Sequence, residues 1–236
     1  MFEGSCAALT TRLELDFKGL EYKAVYLPPV LHGLILGVRG FPRPSVPGLE
    51  LDGRRISGTR EISRALDELR PEPPLFPADP ARRRAVEEAE RWGEELQDAA
   101  RRILYCAARR TPSAWRRVMS RGQPPPVRIM LRTAAPLLVH FAARYHGGAD
   151  ERCRRDLLEL PERLERIDTW IADGLLDAKA PTAADFEIAT NVRFLLEVED
   201  VAPLLDDRPA AEHARELVPD FPARFPRVLP PEWLSR

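Results

Sequence analysis

Lysine is nearly absent from this chain. It occurs only at Lys18, Lys23 and Lys179, so arginine supplies almost all of the 36 basic residues, which face 37 acidic ones for a formal net charge of −1. A balance so close to neutral provides no global field for nucleic acid or an anionic membrane. The arginine bias reads as the codon usage of a GC-rich genome rather than as phosphate recognition. Cysteine is also scarce. Cys6, Cys106 and Cys153 are far apart, odd in number and without CxxC or Cys/His spacing, which argues against a disulfide framework or a zinc site and for a reducing cytoplasm. No basic-then-apolar leader opens the sequence. No apolar run approaches the roughly 20 residues needed to span a bilayer; Leu31 to Val38 is apolar but far shorter. The expectation is a soluble cytoplasmic protein. The four histidines, His32, His140, His146 and His213, fall in no metal-binding spacing, and glycine-rich phosphate loops are missing. Arg109-Arg110 and Arg116-Arg117 flank Trp115, but acidic residues are dense elsewhere in that half, so the arginines read as a solvated helix face.

Proline is what the chain has in quantity, with 24 residues. Arg70 to Pro80 holds five of them in eleven positions, which neither a helix nor a central strand tolerates. This is the clearest boundary, and it predicts a first domain over 1–70, a linker over 71–80 pinned by Leu75 and Phe76, and a second domain over 81–236. Before the linker, Leu9, Leu13 and Phe17 recur at helical spacing and stop at Lys18-Gly19. Tyr22 to Leu27 alternates like a strand, and residues 28–45 read as loops around a short helix. Val46-Pro47 leads into a short apolar strand, Asp52-Gly53 is a strong hairpin turn, and a helix with Ile62, Leu66 and Leu69 on one face follows. A proline at a strand start makes Val46-Pro47 a candidate cis bond. After Ala81 the pattern is helical: a long amphipathic stretch to about Arg110, a short helix near 113–120, a helix from about Arg128 to Tyr145, and another from about Glu151 to Asp173 containing Pro161. Five prolines from Pro219 onward predict an ordered tail rather than a packed helix.

Thr182-Ala183-Ala184-Asp185 precedes an apolar run and reads as a capping box, with Asp in place of the usual Glu or Gln. The Val46-Pro47 hairpin, the proline-rich linker ending at Leu75-Phe76-Pro77 and the Thr182–Asp185 box stand in an order that resembles glutathione S-transferases over roughly residues 4 to 200. The resemblance implies an α+β fold: a thioredoxin-like N-terminal domain followed by an all-helical domain. Only Met1, Phe2 and Glu3 stand where a first central strand is expected, so that strand is short or incomplete.

The resemblance also implies a site. Ser5 falls near the thiol-activating serine of theta-like and zeta-like classes, and Cys6 near the cysteine of omega-like or beta-like ones. Ser5 would lead to thiolate attack on an electrophile; Cys6 would lead to a mixed disulfide and thiol transfer. A serine at a helix start is equally a plain N-cap, and cysteine is often buried and inert. Val46, after which Pro47 turns the chain, would pair through its backbone with the tripeptide. Thr59 would hold the γ-glutamyl carboxylate at a helix N-terminus, with Arg60 as a further anion contact. Thr182 and Asp185 would serve folding rather than chemistry. Gly58 departs from the pattern, because the acidic residue usual before the hydroxyl is missing. That departure favours a rival, a non-catalytic binding module on the same fold; a Cys6-dependent oxidoreductase is the third reading. The implied partners are glutathione as co-substrate, a small hydrophobic electrophile and a second copy in a homodimer.

Overall fold

The computed structural model describes residues 5–28, 31–221 and 223–234. The short first strand expected before Ser5 lies outside the described residues. The first helix, α1 (Cys6–Phe17), starts because Ser5 adopts extended backbone and its side chain accepts a hydrogen bond from the Ala8 amide at 3.3 Å. It ends at Gly19, whose φ of +60° suits a residue without a Cβ. The stripe predicted from Leu9, Leu13 and Phe17 is only half-buried. α1 instead buries Thr10, Thr11, Glu14 and Leu15. Thr10 and Glu14 can face inward because they meet partners: Thr10 Oγ1 lies 2.9 Å from Thr190 Oγ1, and Ser63 donates to Glu14 at 2.7 Å.

Tyr22 to Leu27, predicted as a strand, belongs to no sheet among the described residues. Alternation alone does not make a strand; a ladder does. A short helix, α2 (His32–Val38), follows. The described sheet is one antiparallel hairpin, β1 (Gly48–Leu51) with β2 (Arg54–Ser57), in register from Gly48 opposite Ser57 to Leu51 opposite Arg54. Asp52 and Gly53 both have positive φ, 48° and 82°, as a two-residue turn matched to strand twist requires. The Val46–Pro47 and Glu72–Pro73 bonds are cis. The next helix is α3 (Thr59–Leu69), which buries Ile62, Ala65 and Leu66.

The chain from 70 to 79 forms neither helix nor strand, and it buries Leu75 and Phe76. Five long or short helices then pack together: α4 (Pro80–Arg110), α5 (Pro112–Met119), α6 (Pro125–Tyr145), α7 (Asp150–Ala172) and α8 (Ala183–Leu196), followed by α9 (Pro209–Leu217). α4 opens with Asp79 as its cap, accepting from Arg82 N at 2.7 Å, and Pro80 in the first turn where no amide donor is missed. α8 is buried almost all round and packs against α1, α4 and α9. Its N-terminus carries the capping box: Asp185 accepts from Thr182 N at 2.7 Å and from the Thr182 hydroxyl at 2.6 Å. The other Asp185 oxygen accepts from Asp177 N at 2.8 Å and lies 3.2 Å from His213 Nε2. The proline-rich tail is held by a bridge between Val198 and Phe225 and by Asp200, which accepts from the Val228 and Leu229 amides. One hydrophobic cluster runs through the whole, from Leu15, Ile56 and Ile62 to Phe225 and Leu229. Among the described residues, no helix is long and apolar enough to cross a membrane.

Candidate functional site

A cavity of about 720 Å³ opens where the start of α1, the turn into β1 and helices α4, α5 and α6 meet. Ser5 and Cys6 line it from α1, Val46 from the turn, and Gln97 and Arg101 from α4. Three of the residues singled out in the sequence therefore come together on one wall. The Ser5 oxygen accepts from the Ala8 amide, which leaves its hydroxyl proton available to donate. Cys6 is half-buried and free. Loss of hydration pushes its thiol up to about 12, although the Arg101 charge opposes this and the Glu187 charge adds to it. At neutral pH the Cys6 sulfur is a thiol, not a nucleophilic thiolate.

Pro47, Thr59 and Arg60 do not line this cavity. Pro47 is buried, and its carbonyl accepts from the Gly58 amide at 3.2 Å. Thr59 is 5% exposed and its side chain faces Glu187, while its carbonyl accepts from Ser63. Arg60 turns to α4, 3.5 Å from Glu90 and 3.7 Å from Glu94. Thr182 and Asp185 also stand away from the cavity, in the capping box.

Gly58 has φ +99°. A Cβ there would come 2.5 Å from Glu61 Oε2, so the Glu61 carboxylate occupies the space that a side chain at 58 would need. Arg43 holds that carboxylate at 2.7 Å. The acid missing one residue before Thr59 thus has a counterpart in the first turn of α3. Sequence reasoning passed over Glu61 because it looked like an ordinary first-turn acid favoured by the helix dipole.

Beneath the site lies a group of carboxylates that sequence reasoning also missed. Glu14, Glu90 and Glu187 are buried from α1, α4 and α8. Arg64 grips Glu90 with two nitrogens at 3.1 and 2.9 Å. Glu187 accepts from Gln97 at 3.2 Å and from Asn191 at 3.4 Å, but its second oxygen has no donor. Burial raises Glu14, Glu90 and Glu187, the last to about 8, with the Glu94 and Glu90 charges adding to the effect. The one legible signal was Glu187 itself, a lone acid in the run Phe186-Glu187-Ile188-Ala189. No cluster of His, Cys, Asp or Glu fit to hold a metal ion occurs among the described residues.

Solved structures supply the comparison. A glutathione S-transferase of Ceriporiopsis subvermispora, crystallised with glutathione, superposes with a TM-score of 0.58 at 20% identity, covering 90% of this chain and 88% of that one. A GST-like protein of Pseudomonas syringae gives 0.56 at 19% identity over 94% of this chain, which spans 66% of that protein. A glutathione transferase of Phanerochaete chrysosporium gives 0.56 at 15% identity, covering 90% and 88%. No protein-family profile and no curated protein matches the sequence. The protein has the glutathione S-transferase fold, an α+β architecture with a thioredoxin-like N-terminal part and an all-helical C-terminal part.

Proposed function

We propose that this chain is a glutathione transferase that binds glutathione in the cavity and joins its thiol to a small electrophile. The observation that carries the reading is the Ser5 hydroxyl at the N-terminus of α1, on the same wall as Val46. The tripeptide would lie extended along the Val46 backbone, adding as a short strand. Its γ-glutamyl carboxylate would meet the first amides of α3, where a helix N-terminus favours negative charge. The Glu61 carboxylate would accept from its amino group in the place that Gly58 leaves open. Ser5 would donate to the sulfur, and the positive end of α1 would favour the thiolate. That thiolate attacks the electrophile, forming a carbon–sulfur bond as a leaving group departs with its electron pair, or as a π pair shifts within the electrophile and is protonated by water. The high thiol pKa of Cys6 supports conjugation over thiol transfer, which would need a Cys6 thiolate. A homodimer in the cytoplasm, as the family resemblance implies, completes the proposal.

A second reading has its own support. Thr59 is turned to Glu187 and Arg60 to Glu90, so neither side chain is offered to a ligand. That arrangement favours a binding module that uses the fold without its chemistry. Replacing Ser5 by glycine separates the two, because glycine keeps most of the cap stability while deleting the hydroxyl. Ser5→Gly is expected to slow conjugation of glutathione to chlorodinitrobenzene at least about tenfold, one pKa unit of thiol activation, with glutathione affinity unchanged. Glutathione binding without conjugation in the parent protein selects the module reading. Full activity in Ser5→Gly leaves Ser5 as a cap alone.

A further inference from the structure

The wall of the cavity is chemically lopsided. Among the described lining residues, Arg101 is the only guanidinium or ammonium and none is a carboxylate. Tyr105, Trp115, Phe141 and Tyr145 bring aromatic surface from α4, α5 and α6. The His146 imidazole stacks on the Tyr105 ring, centroids 4.8 Å apart and planes 5° from parallel. Burial lowers His146 to about 4, so it adds a neutral ring rather than a charge. Burial also raises Tyr105, which therefore stays a phenol at neutral pH.

Arg101 is one-third exposed, and its partners hold only part of it. Nη1 donates to Asp98 Oδ1 at 2.9 Å, and Nη2 to Gln97 Oε1. Asp98 is 61% exposed, so this is a surface ion pair of small energy. The guanidinium fork keeps further N–H donors. Its charge reaches inward as well: it favours the deprotonated forms of Cys6, Tyr105 and His146.

A neutral apolar ligand filling the cavity would strip water from Arg101 without replacing it, which costs free energy. A cationic ligand would meet Arg101 with only the exposed Asp98, which does not line the cavity, to offset it. An anion solves both problems, since charge-assisted bonds to guanidinium are short, strong and often bidentate. Building on the glutathione reading, we propose that the electrophile bound here is an aromatic or conjugated carboxylic acid. Its ring packs among Tyr105, Trp115 and Phe141, and its carboxylate engages Arg101.

The test uses two probes of one shape, naphthoate and the neutral naphthamide, titrated calorimetrically into the full chain without glutathione. Naphthoate is expected to bind about tenfold tighter, the effect of one charge-assisted hydrogen bond. Arg101→Met should erase that preference while naphthamide binds as before, which also reports that the variant is folded. Arg101→Lys should recover part of it. Equal binding of the two probes by the parent protein, or a preference that survives Arg101→Met, overturns the proposal. Glutathione is titrated separately into both proteins. If Arg101→Met loses glutathione and keeps its naphthoate preference, Arg101 belongs to the tripeptide and the proposal fails. If neither protein binds glutathione while the naphthoate preference follows Arg101, the acid site stands and the transferase reading falls.

Discussion

A carboxylate buried from water beside other carboxylates, with one oxygen left without a donor, holds its proton to unusually high pH. Glu187 is such a group, raised from an ordinary value near 4.5 to about 8, first by burial and then by Glu94 and Glu90. The side chains it interacts with include Cys6 and Glu14 of α1, Thr59 of α3, Glu90, Glu94 and Gln97 of α4, and Asn191 of α8. The folded chain therefore binds more protons than the unfolded chain between about pH 4.5 and pH 8, so this group lowers stability as pH rises through that window. Glu187→Gln removes the titration and keeps the shape. The stability of Glu187→Gln relative to the parent is expected to climb from pH 5 to pH 8, by at most about 1.4 kcal/mol per pH unit. Urea unfolding of both proteins across that range measures it, and a difference that stays constant with pH contradicts it. Individual site residues were unevenly legible. Ser5 was readable both as a cap and as a wall residue, because a hydroxyl at a helix start can do both. Thr59 was legible as a helix start but not in its orientation, since the buried acid that turns it inward lies 128 positions away, as 187 − 59 gives. Glu61 was hidden because the carboxylate reaches the place of a side chain at 58 only through the fold of one helical turn.

Elements joined by tight local chemistry were the most legible. Asp52-Gly53 specified the hairpin turn, and Thr182 with Asp185 the start of α8. Elements that depend on distant partners were not. The Tyr22–Leu27 segment alternates like a strand yet belongs to no sheet among the described residues, and the inward face of α1 is polar because Ser63 and Thr190 await it. Lys18 is the strongest case. In sequence it is a helix-stop neighbour; in the fold its ammonium is fully buried and binds Asp67 at 2.7 Å and the carbonyls of Arg70 and Pro73 at 2.7 and 2.6 Å. It fastens the end of α1 to the end of α3 and to the start of the linker. Asp67 also accepts from the Leu75 amide at 2.8 Å, so one ion pair governs where the linker runs. Lys18→Met keeps the aliphatic stem but leaves Asp67 and those carbonyls short of a donor. The expected loss is about 3–5 kcal/mol, as for one partner removed from a buried pair. Denaturant unfolding checks this, and an unchanged midpoint contradicts it.

Across the whole molecule, the linker is pinned into the interior at Leu75 and Phe76 while the residues on either side stay at the surface. Leu75 is fully buried, Phe76 nearly so, and the Ala183 amide donates to the Leu75 carbonyl at 3.0 Å, joining the linker to the start of α8. Arg64 and Arg83 stack on the Phe76 ring from α3 and α4. The same core cluster serves both halves, and the cavity lies where they meet, bounded by α1 and the Val46 turn on one side and by α4 to α6 on the other. The order of hairpin, proline-rich linker and capping box made this architecture readable because each is a local signal with its own residue chemistry. The cavity's contents were not readable, since walls assembled from several helices have no common spacing. The central claim is that this cavity holds glutathione with its sulfur beside Ser5. Following the ultraviolet absorbance of the glutathione thiolate against pH, with the protein in excess, tests it most directly. The account predicts that the bound thiol ionises at least about one pH unit below the free tripeptide, as a donor and a helix N-terminus beside the sulfur require. No saturable signal, or ionisation at the same pH bound and free, contradicts it.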